Sequence, residues 1–404
     1  MGADYTAYES ILKEVWTSKT LEDQLYNGNP FLEAMEKRKP AIVIGDTAQT
    51  PIHTGRSGGY SVKPRDGGIL NPANKQKVNA ASWVWTNHYF QIQIESSTID
   101  ETANNSLAAA EVVDTEVTGA VEDMRKQITR QFVGGDGTAR IAPVTADGTT
   151  TVELEGDGYD ALVRGWLTIG QTVDIGTAAD QVSGCDSARI VSVEVDAAAP
   201  TVTLDETVTS SAADFISIAG ARDGTTSYEA NGLANIVSQE LTVGGIAVAD
   251  VPNWAAADVD NTSQDLSLAA IASLQEAVFQ QTGKSPDWVV TCPKQQSAFY
   301  LLIQPQVRFA GDNKLGAGNV GGAIWNGLQV DAQPDVLDRD WWTLTKADLF
   351  TVSTEGPVWM PQKYGESGIL NWVQGSTAMA SAAAYRCQLA CSRRNSHAAL
   401  TNLT

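Results

Sequence analysis

Residues 106–137 read SLAAAEVVDTEVTGAVEDMRKQITRQFVGGDG. Val113, Val117, Ala120, Val121, Met124, Ile128 and Phe132 recur at intervals of three and four, which draws one apolar stripe along a helix over 106–132. Ser106, following Asn104-Asn105, supplies an N-cap, and Gly134-Gly135 ends the helix. At about 1.5 Å per residue the helix is roughly 40 Å long. That is too long for the interior of a compact domain and suits a spine on which other elements lie.

On the N-terminal side of this helix, residues 41–98 read as one long β-hairpin. The outgoing strand runs from Ile42 and Ile44 towards Tyr60 and Val62. The return strand sets Phe90, Ile92 and Ile94 on one face and Gln91, Gln93 and Glu95 on the other. Lys63-Pro64-Arg65-Asp66-Gly67-Gly68-Ile69-Leu70-Asn71-Pro72 forms a Gly/Pro tip between them. A two-stranded ribbon is marginal in water and needs a surface to lie on. Residues 1–40 read as an arm with a short helix through Ile11, Leu12, Val15 and Trp16, broken at Gly28-Asn29-Pro30. A second helix follows through Phe31, Leu32 and Met35 until Pro40. The arm has too little apolar surface to fold alone and is expected to pack on something else, another chain included.

On the C-terminal side the composition shifts. Residues 140–225 hold no lysine, 14 Asp+Glu and 4 Arg, a net charge of −10. Short strands are expected at Thr151–Leu154, Leu162–Ile169, Thr172–Ile175, Arg189–Val195, Thr201–Leu204 and Phe215–Ile218, the spacing of a small all-β barrel or sandwich. Beyond Gly232 the pattern becomes α/β. A helix from about Leu266 to Gln281 stops at Gly283 and Pro286, a buried strand covers Trp288–Cys292, and Pro293 opens a second helix. Further strands are expected around Ile324–Val330, Ala347–Ser353 and Ala378–Ser392. Seven of the eleven tryptophans lie beyond residue 250, so the largest core belongs here.

The whole chain has 404 residues, enough for two or three folded units, and is 43% hydrophobic, too apolar for a disordered chain. With 27 Lys+Arg against 48 Asp+Glu its net charge is −21, which argues against wrapping nucleic acid tightly. Three scattered histidines, His53, His88 and His397, make a histidine metal site or a His-dependent acid/base enzyme a poor expectation. Cys185, Cys292, Cys387 and Cys391 form no CxxC pair and read as reduced core thiols; alternation places Cys387 and Cys391 on one face of a strand. There is no secretion-signal pattern and no run of about 18 apolar residues, so an intracellular protein without a membrane span is expected.

Chemical motifs are weak. Gly316-Ala317-Gly318-Asn319-Val320-Gly321 satisfies G-x-G-x-x-G, but a strand follows where a dinucleotide fold needs a helix. Gly283-Lys284-Ser285 ends like a phosphate-binding loop, yet Val278 stands where its first glycine belongs, and Lys284 is better placed as a helix C-terminal cap. Paired carboxylates such as Asp338 and Asp340 are unremarked at this composition. No Ser/His/Asp or Cys/His set can be assembled.

Phe132-Val133-Gly134-Gly135-Asp136-Gly137-Thr138 is similar to the Gly-Asp-Gly turn that closes the spine helix of the major capsid proteins of tailed bacteriophages, and Asn231-Gly232-Leu233 to the Gly-Leu segment that follows it there. Tyr385-Arg386 to Asn395 resembles the closing strand of the same family, and the order of parts matches. The resemblance implies an α+β Johnson fold, the Hong Kong 97-type shell fold. Its parts would be an N-terminal arm (1–40), an extended E-loop hairpin (41–98), a P-domain spine helix (99–139), an inserted small all-β domain (140–227), a mainly α/β A-domain (228–375), and a C-terminal P-domain strand and tail (376–404).

It implies pentamers and hexamers in an icosahedral shell around double-stranded DNA, held without sequence-specific binding, in a virion capsid assembled in the host cytoplasm. Scaffolding and portal proteins would be partners, with a decoration protein as an optional one, and with no cofactor, catalytic residue or membrane. It also implies that arm and hairpin lie on neighbouring subunits and bury their apolar faces only on assembly. Some members join a hairpin lysine to a neighbour's asparagine; Lys63, Lys75 and Lys77 are the lysines here.

Residues 52–79 hold Arg56, Lys63, Arg65, Lys75 and Lys77 against one acid, Asp66, in an otherwise acidic chain. These five are the expected inter-subunit contacts, docking on a carboxylate-rich surface of an adjacent subunit. The competing readings are a nucleotide-dependent enzyme using the Gly316–Gly321 loop, and a surface-layer protein.

Overall fold

The computed structural model describes all residues except 1–11, 14, 28, 39–41, 66, 73–74, 96, 99–105, 146–148, 178, 181, 210–213, 240–241, 261, 305–322, 326, 354, 364–368 and 374. Helix α1 (Ser18–Asn27) and the short helix α2 (Pro30–Ala34) are separated at Asn29, whose side chain caps α2 by accepting the Phe31 N–H. Leu12 and Lys13 are helical as expected, Val15 and Trp16 form a turn, and α1 follows that turn and ends where expected. Trp16, Leu21, Leu25, Phe31 and Leu32 are buried in the chain's own principal core. The Trp359 indole N–H donates to Trp16 O at 3.0 Å, and Asn29 Nδ2 to Thr129 Oγ1 at 3.1 Å. The expectation that the arm's apolar face waits for another chain is therefore corrected for the described residues of 12–38. Strand β1 (Glu36–Arg38) then pairs in parallel with Leu349–Ser353.

β2 (Ile42–Ile44), β3 (Thr47–Gly55) and β4 (Lys77–Val84) form a three-stranded antiparallel ribbon. β5 (Thr86–Glu95) keeps the expected alternation, with Thr86, His88, Phe90, Ile92 and Ile94 buried. It is not the return strand of the hairpin, however. It pairs antiparallel with the 14-residue strand Ala378–Cys391, in a register running from Ala378↔Glu95 to Cys387↔Thr86. The ribbon closes one step earlier, where the Trp85 N–H bonds to Asp46 O at 3.1 Å. Alternation fixes which face of a strand is buried and says nothing about its partner, so the hairpin is shorter than the sequence suggests.

Helix α3 (Ser106–Gly134) has the expected extent. Val113, Val117, Val121, Met124, Ile128 and Phe132 are buried in the same core as Phe90, Ile92 and Ile94. At its end, the Gly232 N–H bonds to Gly135 O at 3.1 Å. A Cβ on Gly232 would stand 2.1 Å from Gln131 O and 2.7 Å from Gly135 O. Gly137, at φ +77°, lies against Asn231 and Asn235. The two glycine landmarks, nearly a hundred residues apart in sequence, are thus one joint.

Between them, residues 142–218 build a six-stranded antiparallel sheet. Its order is Ala142–Pro143, Phe215–Ile218, Thr172–Gly176, Cys185–Glu194, Thr201–Leu204, Thr151–Glu153. It has its own core of Val144, Val152, Val173, Ile175, Ile190, Val202 and Ile216. The strand expected over Leu162–Ile169 is instead the end of a helix, Gly158–Val163, and a turn through Gly165 at φ +66°. A short apolar run carries no period that separates helix from strand.

In the C-terminal half, Trp288–Thr291 runs parallel to Leu328–Ala332 and antiparallel to Trp341–Leu344. Helix Leu268–Thr282, capped by Ser267 and ended by Gly283 at φ +71°, covers one face with helix Pro293–Ile303. The other face, with Trp288, Val290, Trp342 and Leu344, joins the principal core, where Phe31 stacks on Trp288 at 5.5 Å. No described helix is long and apolar enough to cross a membrane.

The joint at Gly232 has no room for a methyl group, and only backbone stands in the way. Gly232→Ala is expected to lower the unfolding free energy by at least about 2 kcal/mol in urea titrations, because the strand of chain after residue 230 must move off the helix end.

Candidate functional site

Two surfaces stand out. The first is the hairpin tip, residues 56–76, which lies outside the paired strands. Arg56, Lys63, Arg65, Lys75 and Lys77 are all exposed. Lys77 opens β4; the other four are on the tip. None forms an ion pair with a described residue; Lys63 Nζ donates to Asn71 Oδ1 at 3.3 Å, and Asn71 Nδ2 to Tyr60 O at 3.2 Å. His53 Nε2 and Gln76 Oε1, 2.6 Å apart, tie the base of the tip together. The tip also carries bare apolar side chains: Ile69 is 91% exposed and Tyr60 85%, with Val62 and Leu70 close behind. Isolated apolar residues on a surface are ordinary; here four share one loop with four cations. Further in, Ala48, Ala81 and Trp83 are buried, so the ribbon's base is anchored on its own body; the expectation of a wholly uncovered apolar face is corrected there and holds for the tip.

The second surface is a cleft of about 1330 Å³ between β5, α3 and the β-rich segment. Trp85 to Gln91 line one side and Ala120, Asp123, Lys126 and Gln127 another. The turns 168–171 and 218–221 and residues 226–229 close the third. Beneath it, Arg130 and Glu229 form an ion pair with both side chains almost fully buried. Arg130 Nε also donates to Gln127 Oε1 at 2.9 Å, and Gln127 Nε2 to Trp166 O at 2.8 Å. Removing one member of such a pair leaves an uncompensated buried charge, so it fixes how the helix meets the residues after the β-rich sheet. His88 is held neutral, its pKa pushed down to about 4 by burial and then by the nearby Arg130 charge.

The remaining candidates fall elsewhere. All four cysteines are buried free thiols, and burial pushes Cys391 up to about 12. His397 is buried, with Nδ1 accepting the Thr345 N–H at 3.3 Å. The Gly316–Gly321 loop lies outside the described residues. Among the described residues no group of three His, Cys, Asp or Glu is placed to hold a metal ion.

Sequence reading missed a junction at Asp338 and Asp340. Arg164, on the turn after helix Gly158–Val163, donates to Asp338 Oδ1 at 2.7 Å and to the carbonyls of Pro334 and Val336. Trp166 Nε1 reaches Asp335 Oδ1 at 3.3 Å, and Arg339 Nη2 reaches Asp157 Oδ2 at 2.8 Å. The junction ties the β-rich sheet to the C-terminal half. Only the excess of acids over bases in 140–225 hinted that an arginine there would be engaged.

No protein-family model matches the chain, and no curated protein matches it. Among solved structures it is similar to the cyanophage A-1(L) capsid asymmetric unit, at 11% identity and a TM-score of 0.54, covering 93% of each chain. The chain has the fold of a phage capsid protein. Other similar structures are the capsid of a native GTA particle, at 8% identity, 94% and 91% coverage and a TM-score of 0.47. The procapsid of satellite phage P4 with its size determination protein gives 10%, 99% and 96%, and 0.44. A mixed helix-and-sheet capsid-type fold, as expected, is therefore established at the level of architecture.

The junction carries a pH dependence. Burial pushes Asp340 up to about 7, partly offset by Arg339, with Asp157 and Asp160 adding to the rise. A carboxyl whose folded pKa lies above its unfolded value favours the fold below the unfolded pKa and loses that favour as pH rises towards 7. Asp340→Asn is expected to raise the unfolding free energy at pH 8 by roughly 2–4 kcal/mol and to change it little near pH 4. Denaturant titrations at the two pH values measure the difference.

Proposed function

We propose that this chain is the major capsid protein of a tailed phage, a structural subunit and not an enzyme. It assembles as pentamers and hexamers into an icosahedral shell around double-stranded DNA. The observation that carries this is the capsid fold matched over 93% of the chain. The hairpin tip supports it: it carries four exposed cations, with Lys77 at its base, and four bare apolar side chains. In this reading the arm spans 1–40, the E-loop 41–98, the spine helix 99–139, the inserted β domain 140–227, the A-domain 228–375, and the closing strand and tail 376–404. Its place is the virion capsid, assembled in the host cytoplasm with scaffolding and portal proteins and open to a decoration protein. DNA is enclosed without sequence-specific contacts, and a net charge of −21 argues against its being wrapped tightly by this chain.

Arg56, Lys63, Arg65, Lys75 and Lys77 dock on a carboxylate-rich surface of the adjacent subunit. Each exposed pair contributes only about 0–1 kcal/mol, so the five together set docking orientation and salt sensitivity more than affinity.

Purified protein is expected to sediment as megadalton particles or capsomers. Reversing Lys63, Arg65, Lys75 and Lys77 to glutamate should leave folded, unassembled subunits, and rising salt should weaken wild-type assembly. A small discrete oligomer at every condition would refute the shell reading; normal shells from the reversed variant would refute the docking role of the cations.

A further inference from the structure

We propose that Arg140 and Arg222, at the two ends of the β-rich segment, form a binding site for a phosphate ion. The site stands or falls independently of the shell reading, because both arginines belong to one chain.

The segment opens on a strained stretch of backbone. Gly137 takes φ +77°, and Ala139, only 2% exposed, takes φ +58°. A buried alanine holds that left-handed conformation only where the surrounding structure compels it, and such strain collects at functional positions. It delivers Arg140 to the side of strand Phe215–Ile218. Ala142 pairs with Ile216 there, and the Ile141 N–H bonds to Ile216 O at 2.9 Å. The Arg140 guanidinium lies over the Phe215 ring, 4.4 Å from its centroid.

Stacked in this way, Arg140 is half-buried and its fork is not used. Its Nε is buried with no hydrogen-bond partner, and among the described residues its side chain makes no ion pair. Arg222 follows four residues after the same strand, 4% exposed, with Nη2 donating to Gly224 O at 3.1 Å. Burial, and after it the nearby Arg140 charge, hold Arg222 below the ordinary guanidinium range, with Asp136 acting against both. Asp136 is exposed, and its Oδ1 already accepts from the Thr138 N–H at 2.8 Å and Thr138 Oγ1 at 2.7 Å. Asp214 and Asp223 adjoin the two arginines in sequence, and neither forms an ion pair with Arg140.

Two of the four arginines in the most acidic part of the chain are thus set against each other. Like charges gathered in a partly dry place are stabilised by an anion between them. A guanidinium fork offers parallel N–H groups to an oxyanion, and a phosphate can meet two forks on different oxygens while carrying more charge than a carboxylate. Bound there, it ties the exit from α3 to the stretch that returns towards Gly232.

Equilibrium dialysis of the full-length chain against inorganic phosphate in sodium chloride tests the site. Arg140→Gln should weaken phosphate binding about tenfold or more, and Arg140→Lys, which keeps the charge without the fork, should fall between it and wild type. Phosphate should raise the melting temperature of wild type and not that of Arg140→Gln, which in chloride alone should melt no lower than wild type because a like charge has gone. A wild-type chain that phosphate neither binds nor stabilises, or an Arg140→Gln chain that binds it equally well, would overturn the site. A short DNA duplex at the same total phosphate should leave the ion bound, since Arg222 lies too deep for a duplex backbone; displacement would keep the arginine pair and assign its phosphate to DNA.

Discussion

The strand Ala378–Cys391 can be saturated with hydrogen bonds only if β5 lies beside it. That pairing joins residues separated by most of the chain, so the chain beyond residue 96 must leave this sheet and return to it at Leu349–Ser353, which pairs with the other side of Ala378–Cys391. It also decides where the spine goes. With β5 fixed, its buried face offers Phe90, Ile92 and Ile94, and α3 presents the matching stripe. The N-terminal helices then close the same core around Trp16, Phe31 and Trp359. Closing so long a loop carries an entropic cost that grows only slowly with length, which is why a whole β-rich sheet fits between the two landmarks.

The glycines at 135, 137 and 232 set a second constraint. Backbone meets backbone where α3 ends, and the Arg130–Glu229 pair locks the same place from the cleft side. Position and charge reinforce each other there. A helix of this length would otherwise have no fixed attitude to the sheet that follows it.

Hydrophobic periodicity delimits the long helix and the buried face of β5 nearly to the residue, because those elements bury one face along their full length. It misjudged the hairpin, since alternation cannot tell β4 from Ala378–Cys391 as a partner. It misjudged Leu162–Ile169, where the last two residues of a helix and a glycine turn replace a strand. The five cations were legible as a charge imbalance, and they are exposed as a contact surface requires. The cleft was invisible, because Tyr89, Ile169 and Tyr228 meet only through the fold. Asp340 was likewise one acid among many until its burial was known.

Arg164 reaches two carbonyls and a carboxylate of the C-terminal half at once, which only a forked, planar cation does well. Leu337, from the same stretch, is packed into the core of the β-rich sheet. The sheet is therefore riveted, not hung, and cannot swing on its two connecting stretches. Excising it would strip partners from the backbone oxygens of Pro334 and Val336 and uncover Leu337, so this segment is a structural member of the subunit and not a removable ornament.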